Sequence, residues 1–245
     1  MIGPLKPLNL DHSTPKMRLT ILSDIHLEFS KSFETIISRM AKHKGRTDIC
    51  VLAGDIGHHS QPIYSDFLFS MRKIFPRVIV IPGNHEYFVK EPMSEVNSKL
   101  HDICQETGCI FLNKSTVKID QIKFIGCTLW SNVGTAPTGR LPLQKLHLDH
   151  LSWLGDELSK KEESVVITHH CPSFKLRHRI FATHAKSNHY YSDLDHLIKY
   201  PIKLWICGHT HWPNCTTINN IPIIINPVGY VWDIVPWNDS LVVSV

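Results

Sequence analysis

Aspartate and histidine stand two residues apart directly after a short apolar run near the start of this chain. The run spans residues 19–22, and Asp24 and His26 follow it. In an extended segment, side chains at positions i and i+2 point to the same side, so the two residues could bind one metal ion. A carboxylate and an imidazole suit a divalent transition metal. The pair alone is weak support, because a chain with 17 histidines produces such spacings by chance.

The same arrangement recurs at four more places along the chain. Each time, a short run with almost no polar residues is followed closely by residue types that bind metals. The runs are 49–53, 78–81, 165–167 and 204–207, and the residues after them are Asp55, then Asn84 with His85 and Glu86, then His169 with His170, then His209 with His211. Such runs are typical of parallel strands buried on both faces. Sites in open α/β sheets form outside the carboxyl ends of the strands, so we expect these residues to meet.

The motifs, taken in order, resemble those of a known enzyme family. They are Asp24-x-His26, Gly54-Asp55, Gly83-Asn84-His85-Glu86, His169 and Gly208-His209-x-His211. In order, spacing and flanking glycines they look like the motifs of the calcineurin-like metallophosphoesterases, from about residue 17 to the end. The resemblance implies an α/β fold, a four-layer α/β/β/α sandwich in which two mixed sheets are flanked by helices. It also implies a phosphoesterase that uses two metal ions.

The resemblance further implies a ligand set for each ion. One ion would be held by Asp24, His26, Asp55 and His211, and the other by Asp55, Asn84, His169 and His209. Two divalent ions about 3.5–4 Å apart can clamp phosphoryl oxygens and turn water into hydroxide near neutral pH. Their mutual repulsion calls for an anionic bridge, for which Asp55 is the candidate. Manganese is the expected metal, with iron, zinc, cobalt or magnesium as alternatives.

His85 adjoins a predicted ligand, and the resemblance gives it a role other than metal binding. It would stabilise the phosphoryl oxygens or protonate the leaving group, which suits a side chain that titrates near neutral pH. Glu86 would orient His85 or a ligand histidine, or would be a surface carboxylate. His170 would support the site from behind or face the substrate, because His169 is the expected ligand of the pair.

Two later segments are expected to lie beside the same site at the carboxyl ends of the strands. Residues 171–192 are basic and aromatic and directly follow a predicted ligand. Arg177 and Arg179 in this segment suit a phosphorylated substrate, although an ordinary solvated connection explains them equally well. Tyr230 follows the apolar run 223–225 and is expected to point back at the same site.

Together these patterns predict a hydrolase that cleaves phosphate mono- or diesters by attack of a metal-bound hydroxide. A small phosphorylated substrate is expected, and the ligands leave monoester and diester cleavage open, because both use the same clamp. One alternative is a nucleic-acid-processing nuclease. Such an enzyme would need a basic stripe, and only residues 171–192 suggest one. The other is a catalytically silent scaffold of the same fold, which would be expected to lack ligands.

Composition sets broad limits on the class of protein. The chain has 245 residues, of which 42% are hydrophobic, and its net charge of +4 does not by itself indicate nucleic-acid binding. No apolar stretch approaches the ~20 residues that span a bilayer, and no secretory signal is visible, so a cytoplasmic protein without membrane contact is expected. Residues 1–16 are expected to form a flexible leader and residues 17–245 a single domain. The seven cysteines favour free buried thiols.

Periodicity predicts the elements that must position the motifs. Apolar residues recur every three or four positions in most of the predicted helices, and the last is a short segment assigned without such a clear pattern. The predicted helices cover residues 33–40, 63–75, 92–106, about 151–161 and 193–200. Alternating segments between residues 110 and 127 predict hairpins that lead into the second sheet. The last predicted strands are 216–218, 223–225 and 241–243.

Overall fold

The computed structural model describes residues 16–132, 143–178 and 187–245. The predicted leader, residues 1–16, lies outside these ranges except for its last residue. The helices are α1 (Glu34–Met40), α2 (Pro62–Ile74), α3 (Met93–Thr107) and α4 (Leu143–Ser159). The strands are β1 (Arg18–Leu22), β2 (Ile49–Ala53), β3 (Arg77–Ile81), β4 (Ile110–Phe111), β5 (Ser115–Ile119), β6 (Ile122–Cys127), β7 (Ser164–Thr168), β8 (Ile202–Cys207), β9 (Asn214–Ile218), β10 (Ile221–Ile225) and β11 (Val243–Ser244).

The first sheet has the strand order β11–β1–β2–β3–β4. Strands β1 to β4 run parallel, and β11 pairs antiparallel with β1. Between successive parallel strands the chain crosses over through α1, α2 and α3, as parallel pairing requires. These helices cover the outer face of the sheet, where Leu52 and Val80 share a buried cluster with Phe67 of α2 and Leu100 of α3.

Helices α2 and α3 show how the sequence selects a helix for each crossover. The buried side chains of α2 recur at the spacing of one helix face. They are Tyr64, Phe67, Leu68, Met71 and Ile74. Pro62 lies in the first turn, where its missing N–H costs no helical hydrogen bond. Helix α3 ends at Gly108, whose φ of 71° is the left-handed cap that glycine adopts without strain.

The second sheet packs against the first and completes the layers. Its strand order is β5–β6–β7–β8–β10–β9, with the central four strands parallel and the two outer ones antiparallel to their neighbours. Phe124 and Ile206 of this sheet pack with Val51 and Ile79 of the first sheet in one buried cluster. On the other face, Leu154 of α4 packs with residues of β7 and β8. The predicted four-layer α/β/β/α sandwich is confirmed.

Several element boundaries differ from the sequence-based expectation, and strands β9 and β10 each begin two residues earlier than predicted. Helix α4 begins at Leu143, well before the predicted start, because buried His147 and His150 continue the face that Leu154 completes. Hydropathy patterning reads those histidines as polar and so misses the first half of the helix. The last strand covers Val243–Ser244 rather than 241–243.

The helix predicted over residues 193–200 is absent from the structure. Its place is taken by a single turn, in which the backbone N–H groups of Leu197 and Ile198 donate to the carbonyls three residues earlier. Pro201 disfavours helical geometry at Tyr200, and so short a segment cannot sustain a helix against that constraint. The buried side chains of Leu194 and Ile198 produced the helical spacing.

Gly126 allows the two sheets to approach closely, and its replacement tests their packing. A Cβ built on Gly126 would lie 2.5 Å from Leu112 Cβ and 2.9 Å from Ile81 Cγ2. We expect Gly126→Ala to lower the free energy of unfolding by about 1–3 kcal/mol, as overpacking of a core typically does. Gly155→Ala in α4 is the matched control, because a Cβ there meets nothing within 4 Å. Urea unfolding midpoints measure both, and equal midpoints for the two variants would contradict this account of the packing.

Candidate metal centre

The predicted motifs lie at the carboxyl ends of β1, β2, β3, β7 and β8, where the two sheets meet. Strands β1, β2 and β3 belong to the first sheet, and β7 and β8 to the second. The backbone N–H of His209, after β8, donates to Asp24 Oδ1, after β1, at 2.9 Å. Residues far apart in the chain are therefore brought together at one edge of the sandwich.

Asp24, His26 and His211 form a first cluster of possible metal ligands. One ligand atom from each residue lies within 4.8 Å of the others. The Nε2 atoms of His26 and His211 are 2.9 Å apart, and Asp24 Oδ1 lies 3.6 Å from His211 Nε2. Asp24 and His26 are fully buried, so these groups face one another away from bulk water.

Asp55, His169 and His209 form the second cluster, with the same 4.8 Å limit between ligand atoms. Asp55 Oδ2 lies 3.2 Å from His169 Nε2 and 3.8 Å from His26 Nε2. One carboxylate oxygen therefore lies between a histidine of each cluster. Burial raises the pKa of Asp55, but the neighbouring His169 outweighs this and holds the pKa well below its usual value.

Hydrogen bonds at Nδ1 fix the orientation of three of the predicted ligand histidines, so that Nε2 of each faces the other ligands. Three Nδ1–H groups donate at 2.9 Å, from His26 to Glu28, from His211 to Asp233 and from His169 to the Ala53 carbonyl. In the neutral imidazole, a donating Nδ1 leaves Nε2 as a lone pair. Two facing Nε2 lone pairs at 2.9 Å would repel, so the contact between His26 and His211 calls for a proton or a cation that both nitrogens share. Ligand histidines in metalloproteins are held in this way.

Two further atoms fit a divalent cation. Asn84 Oδ1 is buried and has no hydrogen-bond partner within the described part of the chain, and buried His169 Nε2 has only the Asp55 carboxylate, 3.2 Å away, beside it. An unpartnered buried polar atom typically costs about 1–3 kcal/mol, a cost that a bound cation would offset. Carboxylate, imidazole and amide oxygen donors together suit divalent metals. The residues present therefore fit the metals that the sequence predicted.

The backbone at the predicted ligands is strained. Five of the seven have φ in the left-handed region, which non-glycine residues rarely adopt. They are Asp24 (53°), His26 (53°), Asp55 (54°), His209 (72°) and His211 (49°). Such residues typically cost on the order of 1–3 kcal/mol each and cluster at functional sites. The expectation that an extended segment aligns Asp24 with His26 is wrong, because β1 ends at Leu22 and both residues curl after it.

Glu86 ties the loops after β2 and β3 together. Its fully buried carboxylate accepts the backbone N–H groups of Gly83 and Ile56 at 2.7 Å each and that of Asp55 at 3.2 Å. Burial, and then the charge of Asp55, raise the pKa of Glu86 to about 7. Glu86 is therefore not a surface carboxylate, and its hydrogen bonds go to backbone N–H groups rather than to His85 or a ligand histidine, so it fixes the backbone around Asp55 and Asn84.

Glu28 is a residue of the site that sequence reasoning missed. Its Oε1 accepts hydrogen bonds from Nδ1 of both His26 and His85 at 2.9 Å each, and its side chain is only 2% exposed. Burial raises the pKa of Glu28, but these two hydrogen bonds outweigh it and lower the pKa to about 2. The one feature of the sequence that could have indicated Glu28 is its position, two residues after His26. Asp233, which holds His211, gave no signal, because it comes from the irregular segment near the C-terminus.

His85 lies beside both clusters and faces Tyr230. Its backbone N–H donates to Asp55 Oδ1 at 2.8 Å, and Tyr230 Oη lies 3.3 Å from its Nε2. Burial lowers the pKa of His85, but the hydrogen bond to Glu28 outweighs it, so the pKa is raised. The Tyr230 ring centre is 4.2 Å from that of His26 and 4.4 Å from that of His211, so Tyr230 packs against the first cluster.

The remaining predicted residues fall in three different places. His170 is buried with its ring centre 4.0 Å from that of His209, and burial together with that neighbour holds its pKa well below the usual value. The Arg177 guanidinium lies over the Phe174 ring, 5.6 Å from its centre. Arg179 lies outside the described residues.

Comparison with known proteins assigns the chain to a family. Residues 17–213 match the model of the calcineurin-like phosphoesterases. The chain belongs to the calcineurin-like phosphoesterase family. It is therefore a metal-dependent phosphoesterase, and the resemblance seen in its motifs is confirmed.

Relatives of this calcineurin-like phosphoesterase include one curated protein and several solved structures. The uncharacterized protein L509 of Acanthamoeba polyphaga mimivirus is 27% identical over 254 residues, which cover 86% of this chain and 91% of the relative. Phosphopantetheinyl hydrolase from Mycobacterium tuberculosis superposes with a TM-score of 0.65 at 16% identity, covering 88% of this chain and 90% of that one. The protein TT1561 of Thermus thermophilus gives 0.58 at 11% identity, covering 87% and 90%. At these identities the two structures show the shared fold alone.

A helix needs both length and apolar character to cross a lipid bilayer. Across residues 16–132, 143–178 and 187–245, no helix has both the length and the apolar character needed to cross a membrane.

The role of Glu86 as a brace can be tested through stability. Glu86→Ala leaves buried backbone N–H groups at Gly83 and Ile56 without an acceptor, and we expect the free energy of unfolding to fall by about 3 kcal/mol. Glu106→Ala, at an exposed position of α3, is the matched control. Denaturant unfolding of both metal-free variants is the measurement. Equal stability of the two would mean that Glu86 does not join the loops.

Proposed function

We propose that this phosphoesterase is a dinuclear-metal phosphohydrolase with one ion on either side of Asp55. The observation that carries the proposal is the position of Asp55 Oδ2, within 3.8 Å of His26 Nε2 and 3.2 Å of His169 Nε2. Two nearby cations repel each other, and a shared carboxylate oxygen offsets that repulsion. We place the site in one hydrolase domain that spans residues 17–245.

The ligands divide around this bridge. Asp24, His26, Asp55 and His211 would hold one ion, and Asp55, Asn84, His169 and His209 the other. Imidazole and carboxylate donors favour manganese as the working metal, with iron, zinc, cobalt or magnesium as alternatives. When bound, the ions supply a Lewis acid for the phosphoryl oxygens and lower the pKa of water.

The chain's own residues would handle the proton of the leaving group. Nδ1 of His85 donates to Glu28, so its Nε2 is the nitrogen that gains or loses a proton. A protonated Nε2 beside the first cluster can donate to the leaving oxygen of a phosphate ester, while the Glu28 carboxylate stabilises the imidazolium. Tyr230 Oη lies 3.3 Å from Nε2, within hydrogen-bonding distance of the nitrogen that would carry this proton.

A small phosphorylated substrate suits this arrangement. Both monoesters and diesters present the oxygens that two ions would clamp. Membership of the calcineurin-like phosphoesterase family supports hydrolysis of a phosphoester at this site. The presence of all seven predicted metal ligands argues against a scaffold that has lost catalysis.

The proposed function is tested by reconstitution and a substrate screen. Metal-free protein is loaded separately with Mn, Zn or Mg and assayed against aryl mono- and diesters, nucleotides and cyclic nucleotides. We expect hydrolysis with at least one metal, loss of activity with EDTA, and about two bound ions per chain for the active form. Asp55→Asn should lose both ions and the activity together. A single ion at full activity would contradict the dinuclear centre, and metal-loaded protein inert toward every ester would contradict the hydrolase.

His85 should be separable from metal binding. We expect His85→Ala to keep the wild-type metal content and to lose at least about tenfold in turnover, since general acid catalysis typically contributes 10²–10⁴-fold. Elemental analysis and steady-state kinetics on the same preparation measure both quantities. His101→Ala, an exposed histidine of α3, is the control and should change neither. Empty metal sites in His85→Ala would refute the assignment.

A further inference from the structure

Aromatic side chains, two of them exposed and one half-buried, border one side of the candidate centre. We call Phe29, Tyr230 and Trp232 the aromatic rim. Phe29 is 45% exposed and Trp232 is 63% exposed. Moving large apolar side chains out of water lowers the free energy. A contiguous group of them beside a site therefore marks a binding surface.

The rings of the aromatic rim form an ordered stack rather than a scatter. Trp232 stacks on Tyr230 with ring centres 4.8 Å apart and an interplanar angle of 20°. Phe29 closes the side of this pair, 5.5 Å from Tyr230 and 5.3 Å from Trp232. Because one face of Trp232 is covered by Tyr230 and most of the residue is still exposed, its other face is open to a further planar ring.

The aromatic rim is continuous with the catalytic groups. Tyr230 contacts the rings of His26, His85 and His211, whereas Trp232 makes ring contacts only with Phe29 and Tyr230 among the described residues. The Tyr230 side chain would therefore lie between a ring stacked on Trp232 and a phosphate bound at the metal centre. A ligand that reaches both places needs a spacer between its phosphate and its planar ring.

We propose that the aromatic rim binds the base of a nucleotide-like substrate, a phosphate ester in which a sugar-sized spacer carries a planar aromatic ring. This inference rests on the proposed function, because it assigns the substrate class of the same site. Stacking of a base on an aromatic side chain tolerates many bases, so the aromatic rim selects for a planar ring rather than for one particular base. An alkyl or acyl phosphate would gain no such stacking.

The test compares substrates that share a leaving oxygen and differ only in the base. Adenosine 5′-monophosphate and ribose 5-phosphate form one pair, and their phosphate methyl esters form a second pair for a diesterase. With the metal-loaded enzyme we expect kcat/KM to be about tenfold or more higher for the adenosine compound of the cleaved pair. Trp232→Leu should remove this preference by raising KM for the adenosine compound, with the ribose compound unchanged.

Two variants serve as controls. Trp232→Phe keeps a ring at the position and should retain most of the preference. Phe69→Leu removes an aromatic side chain of α2 that is as exposed as Phe29, at 45%, and should change nothing.

The outcomes distinguish this inference from the function on which it rests. Equal cleavage of both members of a pair, or a preference that survives Trp232→Leu, would overturn the base-binding aromatic rim and leave the hydrolase intact. Failure to cleave any of the four compounds, together with inertness toward aryl esters, would overturn both. If Trp232→Leu altered self-association in sedimentation without altering the preference, the aromatic rim would be a protein contact, and the inference would be wrong.

Discussion

Repulsion among buried donor atoms is the constraint on which the rest of this structure depends. The Nε2 atoms of His26 and His211 stand 2.9 Å apart, and the carboxylates of Asp24 and Asp55 lie beside them out of water. Such repulsion is strong where water is excluded, and only protons or cations can relieve it. The hydrogen bonds of Glu28 and the left-handed backbone at the ligands make sense as means of holding groups that would otherwise move apart.

Much of the fold could be predicted from the amino-acid sequence because one physical rule applies at each strand. A strand buried on both faces must be apolar throughout, so polar residues can appear only where it leaves the sheet. The runs before Asp55 and His169 show this directly, since β2 and β7 are buried at every position. Parallel strands then bring those ends to one edge, which is why residues more than a hundred positions apart could be expected to meet. Two packed sheets with outer helices follow from the same alternation of buried strand and amphipathic helix.

What the sequence could not reveal depends on contacts without a period. The pairing of Asp233 with His211 joins an irregular segment to a loop, so no spacing announces it. The left-handed turns at Asp24 and His26 depend on their surroundings, because non-glycine residues rarely adopt a positive φ. In α4 the buried histidines look polar, and before Pro201 a promising apolar spacing forms only a turn. Each failure arises where tertiary contacts override local preference.

The segment after β10 carries a consequence for how this enzyme could diversify. The family match ends at residue 213, while Tyr230, Trp232 and Asp233 lie beyond it on a stretch that closes by pairing with β1 at the sheet edge. The proposed chemistry resides mostly upstream, on strands that the common core fixes. A change confined to Trp232 could therefore alter which molecules are accepted while Asp233 still fixes His211, so that new specificities could evolve without rebuilding the centre.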